Sequence, residues 1–528
     1  MISDKGTDFD VILLSGEPYV DHPLSGIGVI ARVLEARGYR VGVIGRPDWK
    51  QDQDFSRLGR PRLFFGVTSG SIDSLLVNYT PLKRKRAKDA HAPYRSGMPD
   101  RTVLVYCNKL KHLFPGAALV IGGIEASLRR FAHYDYWEDR VRRSVLLDSR
   151  ADILVYGPAE LQVIEIARRL EKGLDLAGIP GTCVVRPEMP VNFELIPSFE
   201  EVSERPELFC KAQNLFSIRR FLAQGHAGRF ILQHPMPEYR PQDLDWVYGL
   251  PYSREIPSDF PEFIMARFSV VTHRGCIGRC SFCSLGLHQG DRVISRSEES
   301  ILEEIRHLRG HPEFKGYIDD LGGPTANMYG MDCCLPCEDE DKECICCSKL
   351  DSSHERLTVL LKRAREVPGI KKVFVRSGIR YDLAMKSPEY LRELCEYHLS
   401  GLLKVAPEHV SPPVLRLMNK EMQPLEEFRR LFQNLNLKRK QHLKYYFMVA
   451  HPGTTRREAR ELARLVHRLE RQGERPVQGV QIFTPTPMTR STCMYYTGID
   501  PTTDEHVYVP RSYKEKKEQK RLLTLKHS

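Results

Sequence analysis

Thr272-His-Arg-Gly-Cys-Ile-Gly-Arg-Cys-Ser-Phe-Cys-Ser284 places Cys276, Cys280 and Cys283 at a C-x3-C-x2-C spacing, with Phe282 just before the last thiol. Thiolates hold iron–sulfur clusters, and a short local spacing lets one loop wrap a single cube of four irons. Three ligands leave one iron open, so a small molecule can bind there as it does at a catalytic metal with a vacant position. A ferredoxin-type run needs a nearby fourth cysteine followed by proline, but Ser284-Leu-Gly-Leu-His288 follows instead. Zinc remains an alternative, held by the three cysteines with His273 or His288.

Outward from this run the chain alternates short apolar segments with amphipathic ones. Strands are expected at Arg267–Val271, Gly316–Ile318, Lys372–Val375, Leu402–Val405, Tyr445–Val449 and Val477–Phe483. The helices between them have clear apolar faces, Ile301, Leu302, Ile305 and Leu308 in one and Leu357, Leu360, Leu361 and Ala364 in the next. Ser295-x-x-Glu298 reads as a capping box opening the first of these helices. Six strand–helix repeats are too few for an eight-fold barrel, whose site lies at the strands' C-terminal ends.

An earlier alternating series runs through Phe9–Leu14, Gly28–Ala36, Arg40–Ile44, Leu63–Val67, Ala118–Ile121 and Ile153–Tyr156. It implies a parallel sheet covered on both faces, with ligands at the carboxyl ends of its strands. The expected domains are 1–190, a Rossmann-like α/β domain; 191–262, a Pro- and charge-rich connection with one helix near Lys211–Leu222; 263–500, a partial barrel with a cysteine-rich insertion at 333–347; and 501–528, a basic tail.

The insertion packs Cys333, Cys334, Cys337, Cys344, Cys346 and Cys347 into fifteen residues. Four of these thiols suffice for a second Fe–S cluster or structural zinc. With 528 residues the chain exceeds one core, and 41% hydrophobic and 28% charged residues are the proportions of a water-soluble protein. No apolar stretch reaches membrane-spanning length, which argues against a membrane protein. Residues 1–10 carry no signal-peptide pattern. Fourteen cysteines without such a signal point to a reducing compartment, so the cytoplasm is expected. The net charge of +11 includes runs at Lys83-Arg-Lys-Arg86 and Arg511–Lys526, which read as solvated surface with RNA as the rival partner.

The cysteine run resembles the signature of radical S-adenosylmethionine (SAM) enzymes. The resemblance implies a 4Fe-4S cluster on Cys276, Cys280 and Cys283, SAM bound at its open iron, and a six-fold partial barrel. It further implies that Phe282, Gly322 and Gly323 line the SAM site, although Pro324 stands where an acidic residue is usual. Ser377 or Arg380 would meet the SAM carboxylate and Glu408 the ribose, unless Arg380 and Glu408 merely pair with each other. Backbone donors at the start of the helix that follows the Pro452-Gly-Thr454 turn would face the adenine. An electron donor of reductase or flavodoxin type is also implied.

The layout of 1–190 resembles the cobalamin-binding-type domain, but its Asp-x-His-x-x-Gly fingerprint is absent because Asp21 directly precedes His22, so cobalamin is not expected. Asp21, His22 and Glu125 are read as structural or substrate-facing. Tyr19–Pro23, Pro47–Trp49, Val77–Thr80, Gly122–Arg130, Gly323–Met328 and Met494–Gly498 together resemble the YgiQ-type radical SAM family, whose substrate the likeness does not supply. The rival class is a non-catalytic Fe–S or zinc protein for electron transfer or nucleic-acid binding. It leaves Gly322-Gly323 and Glu408 unexplained.

Overall fold

Val11–Ser15, a strand of four apolar residues and a serine buried along its whole length, lies third in the ten-stranded sheet of the first of two compact units. The computed structural model describes residues 2–3, 8–86, 97–258, 260–333, 344–420, 424–437, 440–474 and 479–524. The first unit comprises Met1–Glu238, Leu250–Arg267 and Thr486–Met488; the second comprises Tyr239–Gly249, Phe268–Pro485 and Thr489–Ser528.

In the first unit a ten-stranded sheet starts with six parallel strands in the order Ile2–Ser3, Val41–Gly45, Val11–Ser15, Phe64–Thr68, Ala118–Ile121 and Ile153–Val155. Helix Gly26–Glu35 is capped by Ser25, and its Ile27, Val29, Val33 and Leu34 are buried. Glu125 ties two helix starts to the sheet, accepting from Ser74 N at 3.2 Å and Val103 N at 3.0 Å. Burial raises its pKa, and its neighbour Arg129 pairs with Asp73.

The sheet then continues into the segment expected to be a connection. Thr182–Arg186 and Arg229–Gln233 pair antiparallel, Arg229–Gln233 pairs with Leu222–His226, and Glu194–Ile196 closes the edge. The hairpin turns at Ala227 and Gly228, both at positive φ, as a two-residue turn between twisted strands requires. The helix expected near Lys211–Leu222 is Pro206–Leu215, earlier in the chain, and Phe199–Glu204 and Pro241–Tyr248 are helical as well. The surrounding prolines and charges hide these three- to five-residue strands from a reading of composition.

The second unit carries six parallel strand segments in sequential order. Val270–Val271 pairs with Leu321–Gly322, Tyr317–Ile318 with Lys372–Val373, Ile379 bridges to Val405, and Leu402–Glu408, His442–Val449 and Val480–Ile482 complete the series. This is the partial (β/α)6 barrel that the radical SAM resemblance implied. Ile301, Leu302, Ile305 and Leu308 are buried, as are Leu357, Leu360, Leu361 and Ala364. The first helix begins later than expected, at Glu298, with Ser297 Oγ accepting from Ser300 N at 3.2 Å. Ser295 cannot cap it, because Ser295 pairs with His273 in an antiparallel ribbon.

The basic run at the C-terminus forms helix Tyr513–Thr524, whose Lys516, Gln519 and Leu523 are buried. Gln519 accepts from Ala450 N and donates to Thr454 O, both at 2.8 Å, and so holds the loop after the fifth strand. Among the described residues no helix is long and apolar enough to cross a membrane.

Candidate functional site

The three cysteines follow directly on the ribbon strand His273–Arg274, and the loop that carries them is closed where it starts. Gly275 has φ +80°, and a Cβ there would overlap the carbonyl oxygen of Arg292. Glycine alone permits both the left-handed backbone and that approach. Cys276 N donates to Gly290 O at 3.1 Å, and Cys283 N to Cys280 O at 3.0 Å. Two remote segments clamp the middle of the loop. Ser281 N donates to Met418 O, and Ser281 O accepts from Ser491 N, both at 2.9 Å. Ile277 plugs into a buried cluster of Val293, Met328, Met331 and Leu383, against which Cys276 also packs.

Cys276, Cys280 and Cys283 are free and partly buried. The sulfurs of Cys276 and Cys280 lie 3.5 and 3.8 Å from where a Cβ on Gly278 would stand, and Arg380 Nη1 lies 3.0 Å from the same point. Burial pushes the Cys283 thiol up to about 12 and also raises Cys280, against the nearby charges of Lys420 and Arg380. Among the described residues no three His, Cys, Asp or Glu side chains converge as the ligands of a single ion would. A cube of irons fills the space between its ligands, so a wider set of thiols fits it. Three free thiols on one loop, with cations beside them to offset thiolate charge, fit a three-thiolate cluster.

The strand-end residues fall into contact as neighbours of this loop. Gly323 faces His273, whose ring would lie 2.5 Å from a Cβ at that position. Gly322 faces Ser377, at 3.7 Å between side-chain carbons if Gly322 had one. The Ser377 hydroxyl and the backbone N–H groups of Arg376 and Ser377 are all held by Asp320. Arg380 binds Asp382 at 2.8 Å and leaves Nη1 4.0 Å from Cys280 Sγ. Glu408, at φ +65° on a bulge of the fourth strand, pairs with Lys420 at 3.0 Å. Arg380 and Glu408 therefore each have another partner. Phe282 lies under Lys420 Nζ, 5.6 Å from its ring centroid, and edge-on to His451 at 6.3 Å.

At the start of the helix that follows Pro452-Gly-Thr454, Thr455 N donates to Glu458 and Thr455 Oγ1 accepts from Arg457 N, both at 3.1 Å. Gly453 N donates to Tyr508 O at 2.7 Å and Thr454 N to His451 O at 2.9 Å, so these donors are engaged within the fold. Reading the sequence missed Asn327, which accepts from Arg380 N at 2.8 Å and donates to Arg380 O at 2.9 Å, fastening the glycine loop to the arginine segment. It also missed Lys420, although that residue ends the segment after strand four.

In the second cysteine group, Cys334 and Cys337 lie outside the described residues. Cys333 and Cys344 are partly buried, and Cys346 and Cys347 are exposed. Cys344, Ile345 and Leu350 pack against the same buried cluster as Cys276. Alkylation of the metal-free protein is expected to reach Cys346 and Cys347 first at pH 8, because both are exposed. Cys283 should lag and gain roughly tenfold per pH unit up to its raised pKa. Mapping of labelled peptides by mass spectrometry checks the order.

Against known proteins, a family profile described as Radical SAM N-terminal matches residues 1–270, one for the Radical SAM superfamily matches 270–466, and a domain of unknown function, DUF3362, matches 478–528. A UPF0313 protein of Methanosarcina acetivorans is 44% identical, covering 98% of this chain and 76% of its own. A UPF0313 protein of Clostridium botulinum (strain ATCC 19397 / Type A) is 43% identical, covering 97% and 84%. Among solved structures, the radical SAM methyltransferase TsrM from Kitasatospora setae, with cobalamin and a [4Fe-4S] cluster bound, has TM-score 0.54 and 18% identity over 90% of this chain and 73% of its own. The cobalamin-dependent SAM radical enzyme OxsB, with aqua-cobalamin and SAM bound, has TM-score 0.53 and 12% identity over 98% and 66%. At these identities the two structures share the fold.

Proposed function

We propose, from the premise that this chain belongs to the UPF0313 family and is a radical SAM enzyme, that it cleaves SAM reductively at a 4Fe-4S cluster held by Cys276, Cys280 and Cys283. The observation that carries the reading is the gathering of free thiols around Gly278 beside Arg380. A cluster held there would supply the one electron that splits SAM into methionine and a 5′-deoxyadenosyl radical, which would take a hydrogen atom from the substrate.

The chain's own residues bind and orient. Gly322 and Gly323 let backbone reach the methionyl amine, Arg380 offers a cation to the carboxylate, and Glu408 offers an acceptor to the ribose hydroxyls. Ser377 is the weaker carboxylate partner, since its hydroxyl hydrogen is directed at Asp320. Phe282 and the buried Ile277 keep water from the thiols. Four of the six thiols Cys333, Cys334, Cys337, Cys344, Cys346 and Cys347 are proposed as an auxiliary cluster or zinc site, and the electron donor as a reductase or flavodoxin-like protein.

RNA is left out of the proposal. Within the basic run, Lys83 stacks on Tyr136 at 4.7 Å and Arg86 donates to Leu76 O and Tyr79 O, so both charges serve the fold. Asp21 and His22 are likewise engaged within the fold. His22 Nδ1 accepts from Leu24 N at 3.0 Å, its Nε2 lies 2.8 Å from Arg267 O, and Asp21 is paired with Arg32.

The test is anaerobic reconstitution, reduction with dithionite, addition of SAM and chromatographic assay of 5′-deoxyadenosine. Product that requires both reductant and cluster is expected. A fully loaded, reduced protein that binds SAM and releases no deoxyadenosine overturns the reading.

A further inference from the structure

The stretch Cys280–Phe282 lies against two buried cations, and each cation has its own carboxylate. Arg380 Nη1 is 4.0 Å from the Cys280 sulfur while Nη2 binds Asp382. Lys420 Nζ sits 3.0 Å from Glu408 and 5.6 Å over the ring of Phe282, two residues beyond Cys280. Lys420 is 7% exposed and Glu408 9%. Two further bonds stitch the segment that carries Lys420 to the residues flanking Cys280. Asn419 Nδ2 donates to Arg279 O at 3.1 Å, and Met418 O accepts from Ser281 N at 2.9 Å.

Lysine is rarely buried unless something repays the loss of water. Glu408, 3.0 Å from the Lys420 ammonium, repays part of that loss. A salt bridge alone is a weak reason to bury both ions, because a well-packed apolar pair is often as stable. What the apolar pair lacks is a field at Cys280.

We propose that Lys420 is a positioning residue for electron transfer: its charge favours the reduced state of the cluster on the Cys280 side, and Glu408 counterweights it. Its premise is the three-thiolate cluster proposed above. One electron passes from an external one-electron reductant to the cluster iron, no bond forms or breaks, and no proton moves. The added negative charge is stabilised by Lys420 and opposed by Glu408, and in a poorly polarisable interior both effects are large. The reduction potential of such clusters depends on net charge and surroundings.

The experiment is a dithionite redox titration of the reconstituted full chain without SAM, followed by EPR, with iron counted per chain for every variant. Lys420→Met should move the midpoint potential to more negative values, and Glu408→Gln to more positive ones. Lys420→Arg should stay near wild type. Shifts of the same sign in the first two variants, or no shift at wild-type iron content, overturn the inference. If Lys420→Met fails to load iron, Glu408→Gln decides alone, an upward shift supporting the inference and none overturning it. Wild-type protein that assembles no cluster removes the cluster reading itself, a distinct result.

Discussion

Gly275→Ala is expected to abolish cluster loading and lower the melting temperature, whereas Gly286→Ala in the same loop leaves both near wild type. At Gly275 the backbone is left-handed, at φ +80°. An L-residue there costs about 1–2 kcal/mol. The added carbon would also overlap the carbonyl oxygen of Arg292, which belongs to backbone and cannot rotate away. Forced overpacking adds about 1–3 kcal/mol. The cheapest relief is to open the contact between the two ends of the loop, which would break the bond from Cys276 N to Gly290 O and separate Cys276 from its neighbours.

Gly286 lies in helix Leu285–Gln289, and a methyl carbon added to it would meet its nearest neighbour, Asp291 Cβ, at 3.9 Å, an ordinary van der Waals contact. Alanine in a helix is favoured over glycine by roughly 0.5–1 kcal/mol. Iron per chain and a thermal melt of each variant decide. Equal iron loading by Gly275→Ala and wild type would mean that the loop does not need this crossing.

The barrel was legible because its helices are long enough to show their period. Leu357, Leu360, Leu361 and Ala364 repeat at helical spacing and all are buried. Strands of two residues, such as Tyr317–Ile318, show no alternation of their own and were placed by the helices around them. The hairpin Leu222–His226 with Arg229–Gln233 escaped notice because neither strand exceeds five residues and prolines crowd the segment. The Ser295 cap failed for a different reason. Its local pattern is sound, but pairing with His273 claims the residue first.

In the site, the ligand spacing is local and could be read directly, while second partners are not local. Asn327 meets Arg380 across 53 residues, and Asp320 meets Ser377 across 57. Lys420 lies twelve positions from Glu408 and reaches it only because the strand bulges at Glu408 and the following helix Pro412–Leu417 turns the chain back. No spacing rule announces such a meeting.

Cys280→Ala should give a large loss of function, since Cys280 is one of the three proposed cluster ligands and its sulfur lies 4.0 Å from Arg380 Nη1. Removing a partner that merely supports a metal ligand costs roughly 10–100-fold in metal affinity or activity. Removing the ligand itself is therefore expected to cost at least about 100-fold, seen as iron near zero per chain and deoxyadenosine below detection. The substitution has a second consequence. Without that thiolate, Arg380 and Lys420 lose a neighbouring anion, and only Asp382 and Glu408 remain to balance them.

The metal-free variant should nevertheless stay folded, because Ile277 and its buried cluster hold the loop independently of Cys280. Cys107→Ala is the control. That thiol is buried in the other unit, where burial raises its pKa, and its loss should leave iron content unchanged. Iron analysis beside a deoxyadenosine assay separates the outcomes. Should Cys280→Ala hold as much iron as wild type and still cleave SAM, Cys280 is not a cluster ligand. Should it hold iron and fail to cleave SAM, the thiol acts on SAM binding rather than on the cluster.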